Sequence, residues 1–332
     1  FGLYHNELHQ PKKALAYLAD AEKVAAKVND VDSLGKVKYY QFVIMQNDLP
    51  DHETIELLQQ AQKYFDQAYP EGHPNLLAIR NSLALRFSET GQLEKSNELF
   101  DKLHVENIKL YGIRDVNYLT NHAGNLFLLG RFTEALGLAA ESLQIFENKN
   151  INDGFNLMAA KITHARCLVE LSRYDEAKIG LDYAYNYFQD MFAEDHVVMF
   201  VLRTYQLDLL IKSGQVLEGI EEELALISLA EKALNGSVRS SIRYVNAALT
   251  VATSYWSRGL KQSALDTLLK ADIQLNMISK KQSWRYWLIQ AGILKIKQEL
   301  GHKFSEVGLN KAKQQLFMLL PANHWYHQFF TD

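Results

Sequence analysis

Apolar positions along this chain fall at helical spacing. Leu83, Ala84 and Phe87 are one and three residues apart; Leu93, Leu99, Phe100 and Leu103 are six, one and three apart. That spacing gathers side chains on one helical face, whereas a strand would alternate them between two. Between such runs a six-residue phrase returns: a small residue, a variable one, often an apolar one, two more variable ones, then a second small residue. It reads Gly91-Gln-Leu-Glu-Lys-Ser96, Gly130-Arg-Phe-Thr-Glu-Ala135, Ser172-Arg-Tyr-Asp-Glu-Ala177, Gly214-Gln-Val-Leu-Glu-Gly219 and Gly259-Leu-Lys-Gln-Ser-Ala264. Weaker copies stand at His9-Gln-Pro-Lys-Lys-Ala14, around Leu49, and at Gly301. The anchors 9, 49, 91, 130, 172, 214, 259 and 301 recur about every 42 residues, which is the period of a structural repeat.

The phrase has a local cause. Glycine just past a helix takes the left-handed conformation that ends it, because no Cβ clashes there. The apolar residue two positions on tucks beneath the turn. The small residue five positions on lets the second helix approach the first. Only 5 prolines occur in 332 residues, and all stand at expected helix boundaries. Pro11 and Pro50 lie where a second helix begins, Pro70 and Pro74 bracket the loop 69–75, and Pro321 follows the apolar run 316–320. The expected fold is all-α: a solenoid of antiparallel helix pairs that share a core with their neighbours. The expected units are 1–30, 31–70, 71–112, 113–150, 151–192, 193–236, 237–280 and 281–320, in one domain, with a C-terminal cap and tail at 321–332. Three units depart from the pattern. The one ending at Gly130 looks one residue short, the one around Leu49 uses Asn47-Asp-Leu-Pro50 in place of glycine, and the last reads as if a residue were inserted after Gly301.

These anchors, with Ala84, Ala165 and Ala252 seven residues before the turn and Phe87, Leu168, Leu210 and Tyr255 four before, resemble the tetratricopeptide repeat. The 42-residue period resembles the variant found in kinesin light chains and in many bacterial signalling proteins. That variant carries a Gly-x-x-His-Pro type of linker, followed by a helix with paired asparagines. The closest copy here is Tyr69-Pro-Glu-Gly-His-Pro-Asn-Leu-Leu-Ala-Ile-Arg-Asn81, with a shortened one at 110–127 and a third at Ala193-Glu-Asp-His196. The resemblance implies a right-handed superhelix whose first helices line a concave groove, with ligand contacts about ten, six and two or three residues before each anchor. On this chain those positions are Tyr39, Asn81, Asn121, Asn125, Arg166, Glu170, Thr204, Asp208, Lys212, Asn246, Thr253 and Trp256. Asparagine amides offer donors and acceptors to an extended backbone. Arg166 suits a carboxylate held through two hydrogen bonds, and Trp256 suits an apolar anchor. The alternative is that these residues solvate the groove or pair with one another. Asn121 and Asn125, at i, i+4, are the favoured pair.

Charge adds a gradient. Net charge is −4 overall, with −9 over residues 1–258 and +5 over 259–332. No dense basic cluster interleaved with aromatics marks a nucleic-acid surface, so no nucleic-acid partner is expected. No run approaches the roughly 18 apolar residues of a membrane span.

The sequence holds few candidates for chemistry. There is no glycine-rich phosphate loop, no His-Glu-x-x-His and no Gly-x-Ser-x-Gly. The single cysteine, Cys167, is i+3 from His164 and reads as a small buried thiol before it reads as a nucleophile. His5 and His9 have metal-binding spacing without a third ligand nearby. Glu221-Glu-Glu223 reads as a solvated helix face, and Trp325–Phe330 as a seal on the last apolar surface. No cofactor and no enzymatic activity are expected. The expected function is a cytoplasmic, non-catalytic scaffold for a protein or peptide ligand. The alternative is a regulatory or sensor region of a larger bacterial signalling protein, a Ser/Thr kinase or transcription regulator. In that case an N-terminal domain of the same chain would be a further partner; the start at Phe1, inside a helical pattern, motivates it.

Overall fold

The computed structural model describes residues 10–46, 49, 51–215, 220–234, 238–277 and 283–320. Of these, 82% are helical, in fifteen α-helices, and none is in a strand. The helices are α1 (Pro11–Lys27), α2 (Val31–Met45), α3 (Asp51–Ala68), α4 (Pro74–Glu89) and α5 (Leu93–Tyr111). Then follow α6 (Val116–Leu128), α7 (Phe132–Asn148), α8 (Phe155–Glu170), α9 (Tyr174–Gln189) and α10 (Val197–Lys212). The last five are α11 (Glu221–Lys232), α12 (Val238–Ser257), α13 (Lys261–Met277), α14 (Trp284–Glu299) and α15 (Glu306–Leu319). The chain divides into two units, Phe1–Tyr118 and Leu119–Asp332, with the boundary inside α6. His5, His9, Asn47, Asp48, Pro50, Gly219, Pro321, Trp325–Phe330 and the tail 321–332 lie outside the described residues.

The recurring phrase forms the turns inside the helix pairs. Gly91, Gly130, Gly214, Gly259 and Gly301 all have φ between 70° and 83°. In each turn the N–H of the next residue reaches the carbonyl four residues before the anchor: Gln92 to Phe87 at 2.8 Å, Arg131 to Leu126 at 2.9 Å, Leu260 to Tyr255 at 2.8 Å. Gln215 to Leu210 and His302 to Lys297 repeat it. This is the Schellman closure, which satisfies an orphan carbonyl at the end of the first helix. Ser172 makes the same bond, Arg173 to Leu168 at 2.9 Å, at φ 59° although it is not glycine. The small residues five past the anchors, Ala14, Ser96, Ala135, Ala177 and Ala264, are all fully buried. Ser96 shows what they permit: its hydroxyl donates to the carbonyl of Ala84 on the facing helix at 2.8 Å. After Gly301 the second helix resumes only at Glu306, whereas after Gly91 it resumes at Leu93. That is the insertion anticipated there, and Ser305 caps the delayed start by accepting from the Gly308 N–H at 3.0 Å.

The inter-repeat linkers are built by caps. His73 accepts the Asn75 N–H on Nδ1 at 3.2 Å, and its ring stacks on Tyr69 with centroids 3.5 Å apart. His196 accepts from the Val198 N–H at 3.3 Å and stacks on Phe192 at 3.9 Å. Asp115 holds the same place in the shortened copy, accepting from the Asn117 N–H at 2.8 Å. Each side chain satisfies a first-turn N–H that the helix cannot. The histidine-based linker is thus an N-cap stapled by an aromatic four residues upstream.

The first unit has a core of Phe42, Leu58, Ala61, Phe65, Leu76, Ile79 and Leu83, contributed by α2, α3 and α4. Gly35 lets α2 and α3 meet: a Cβ there would overlap the Phe65 ring. In the second unit Ala165, Leu168, Val169, Ala177, Leu181 and Leu209 bring α8, α9 and α10 together. Both cores mix residues from a helix pair and from the next first helix, so no pair is buried alone.

Candidate functional site

The first helices of the second unit carry most of the proposed contact residues. On α8, Arg166 contacts two rings, its guanidinium carbon 4.2 Å from the Phe127 centroid on α6 and 4.5 Å from the Tyr205 centroid on α10. Cation–π contact with both rings restrains the guanidinium. Among the described residues no carboxylate stands within ion-pair distance of Arg166.

One turn further, Glu170 on α8 meets Lys212 on α10 at 2.5 Å, and Lys212 also holds Asp208 at 3.0 Å. Glu170 is the buried end, with its side chain 6% exposed. Burial pushes the Glu170 carboxyl up. On Lys212 burial acts against the charge, but Asp208 and Glu170 outweigh it and hold the ammonium above the ordinary lysine range. Thr204 is buried, and its hydroxyl donates to the Phe200 carbonyl at 2.8 Å within α10. Asn121 and Asn125 share a face of α6, but only Asn121 is partly open; Asn125 is 1% exposed.

The same arrangement recurs on α12 and α14. Arg285 donates to Asn246 at 2.8 Å and covers the Trp284 ring at 4.3 Å. Trp256 donates its indole N–H to Glu299 at 3.0 Å, and Lys261 reaches the same carboxylate at 3.1 Å. Burial would raise Glu299, yet Trp256 and Lys261 hold it below the usual carboxylate range. Thr253 returns its hydroxyl to the Leu249 carbonyl at 2.8 Å. In the first unit Tyr39 packs against the Phe42 core, and Asn81 sits half-buried on α4.

The partners Arg285 and Glu299 were not anticipated, nor was Arg86, which donates to Gln46 at 3.1 Å and lies over Phe42. A signal for them existed. Glu170 and Lys212 are 42 residues apart, Arg86 and Gln46 are 40, Asn246 and Arg285 are 39, Trp256 and Glu299 are 43. Complementary residues one repeat apart face each other across adjacent first helices.

The acidic run Glu221–Glu223 departs from the solvated face expected of it. Glu221 and Glu222 are exposed, but Glu223 is fully buried and accepts from Ser254 at 2.7 Å and Arg258 at 2.6 Å. The i, i+3, i+4 stripe of α11 turns Glu223 inward with Leu226 and Ala230. Cys167 is buried as well, and burial pushes its thiol up to about 12. Such a thiol holds its proton and is a poor nucleophile. No group of three or more His, Cys, Asp or Glu side chains suits a metal ion among the described residues. Among them no helix is long and apolar enough to cross a membrane.

No protein-family model matches the chain, and no curated protein matches its sequence. Solved structures do match. Aspartyl phosphate phosphatase F from Bacillus subtilis is similar with a TM-score of 0.60 at 17% identity, over 82% of this chain and 68% of that one. NprR in complex with its cognate peptide NprX gives 0.55 at 12% identity, over 91% and 85%. A Rap protein complexed with competence and sporulation factor gives 0.52 at 16% identity, over 88% and 84%. At such identities the likeness is one of architecture, and the fold of this chain is that of a tetratricopeptide-like helical-repeat solenoid.

Proposed function

We propose that the first-helix face of the second unit binds a peptide or protein segment without catalysing a reaction on it. Arg166 carries this reading. A guanidinium already restrained by two rings has little further freedom to lose on binding, and its paired donors suit a carboxylate. Asn121 and Trp256 flank it along the chain as a backbone-pairing amide and an apolar anchor. NprR and the Rap protein, each solved with a bound peptide or factor, share the fold and support the reading. The Glu170–Lys212–Asp208 and Asn246–Arg285 contacts fix the spacing of the first helices, and so position the face. The Cys167 thiol, buried and holding its proton beside His164, supports a role without catalysis.

Selection from a random peptide library displayed on phage tests this. Wild-type protein should enrich peptides bearing a carboxylate, and Arg166→Ala should bind them at least tenfold more weakly, about 1.4 kcal/mol. Enrichment of peptides that bind Arg166→Ala equally well, or of none, would contradict it.

A further inference from the structure

Apolar side chains exposed singly are ordinary on a protein surface; a contiguous group marks a contact site. The second unit has such a group where α7 passes into α8 and α9 into α10. Phe155, the first residue of α8, is 57% exposed, Met191 just past α9 is 46% exposed, and Ile151 in the loop before α8 is 39% exposed. The Phe155 ring meets those of Phe188 and Phe192, with centroids 5.5 Å and 6.2 Å away. Leu157 and Met158, the next inward positions of α8, are buried, and Phe155 stands off their stripe.

The group is held in place before any partner arrives. The Gly154 N–H donates to the Tyr187 hydroxyl at 3.1 Å, which ties the loop ahead of Phe155 to α9. The Ile151 N–H reaches the Phe146 carbonyl at 2.9 Å and closes the end of α7. Beside Met191, the Phe188 and Phe192 rings lie 5.9 Å apart, and Phe192 stacks on His196. Surface ordered in this way pays less on association.

Charge selects the occupant. Residues 147–155 and 190–196 carry five carboxylates and one lysine. Asp153 stands two residues before Phe155, Asp190 adjoins Met191, and Glu194 and Asp195 follow. Arg203 engages Glu194 at 3.1 Å. Asp153, Asp190 and Asp195 are exposed, and among the described residues no cation stands within ion-pair distance of them. A second copy docked through the same patch would set these carboxylates against one another, and an anionic lipid surface would be repelled. An apolar centre with a charged rim is the anatomy of a protein interface. We propose that this patch docks a basic protein segment carrying an aromatic or aliphatic anchor. The anchor sits on Phe155 and Met191, and its lysine or arginine flanks face Asp153, Asp190 and Asp195. Arg166 lies about 16 Å further along α8, at roughly 1.5 Å per residue, so the two surfaces are separate.

Calorimetric titration of the whole chain with the peptide acetyl-Lys-Arg-Trp-Lys-Leu-Arg-Lys-amide at low ionic strength tests the surface. The expected result is saturable binding of one equivalent. The blocked peptide has no carboxylate, so Arg166→Ala should leave its binding intact. Affinity should fall roughly tenfold or more with Phe155→Ser, with Asp153→Asn plus Asp190→Asn, and when glycines replace the tryptophan and leucine of the peptide. Glu94→Gln with Glu98→Gln, the same charge change on α5, should have no effect. Circular dichroism checks that each variant folds, and Met191→Ser takes the place of Phe155→Ser if that one does not. Unsaturable heats, equal losses from both charge pairs, or affinity indifferent to the apolar variants would overturn the proposal. So would self-association, or binding to phosphatidylserine vesicles, that Phe155→Ser abolishes, since a second copy or a lipid surface would then be the occupant.

Discussion

Ser172 occupies a position that five glycines fill in the other turns. Its φ of 59° places a Cβ against the following carbonyl, a conformation that costs a non-glycine residue roughly 1–2 kcal/mol. Glycine loses more chain entropy on folding and returns part of that gain. Ser172→Gly should therefore stabilise the protein by about 0.5 kcal/mol, read as a rise in melting temperature; a fall would mean that the hydroxyl contributes more than the strain costs. Cys167 permits a second residue-scale test. With its thiol buried and pushed up to about 12, it should resist a maleimide at pH 8 in the native protein and react promptly in denaturant. Fast native labelling would show that α8 opens locally. At this scale the sequence spoke clearly wherever a residue type is demanded by backbone geometry, as at Gly91 or Ala177. It was silent on Glu223, because a charged residue reads as exposed until its partner Arg258, 35 residues away just past the end of α12, is known.

At the scale of elements, α11 is held to α12 by that pair. Glu223 has no exposed surface, and Arg258 and Ser254 are the donors it accepts from. Arg258→Ala would leave a buried carboxylate without its counter-charge, at a cost of about 3 kcal/mol, measured by urea denaturation. A change below 1 kcal/mol would mean that water reaches Glu223. The starts of α4 and α10 give a milder case. His196→Ala removes the acceptor for the Val198 N–H and the stack on Phe192, and should cost about 1 kcal/mol, as other lost N-caps do. An unchanged denaturation midpoint would show the cap to be dispensable. The helix pairs and their turns were legible because glycine, proline and apolar spacing act within a few residues. The caps at His73 and His196 were seen as a motif whose physical role needed the stacked geometry. The α2–α3 contact at Gly35 was not seen, because a glycine inside a helix shows its use only against the Phe65 ring it meets.

At the scale of the molecule, each unit repeats one device: side chains one period apart bridge adjacent first helices. Of the twelve residues carried over by resemblance, Glu170, Asp208 and Lys212 join one network, and Asn246 and Trp256 each bond to a partner on α14. The resemblance located the first-helix face, but it could not tell bridging positions from open ones, because both are polar and share a period. Arg166 stands apart from that network, since its partners are rings and its hydrogen-bonding edges face no carboxylate among the described residues. The claim that this face recognises a peptide therefore rests on Arg166. Its most direct test is the affinity of a library-selected, carboxylate-bearing peptide for wild type and for Arg166→Ala, each shown to melt at the same temperature. The dissociation constant should rise at least tenfold in Arg166→Ala, with partial rescue in Arg166→Lys. Equal affinities for all three proteins would contradict it.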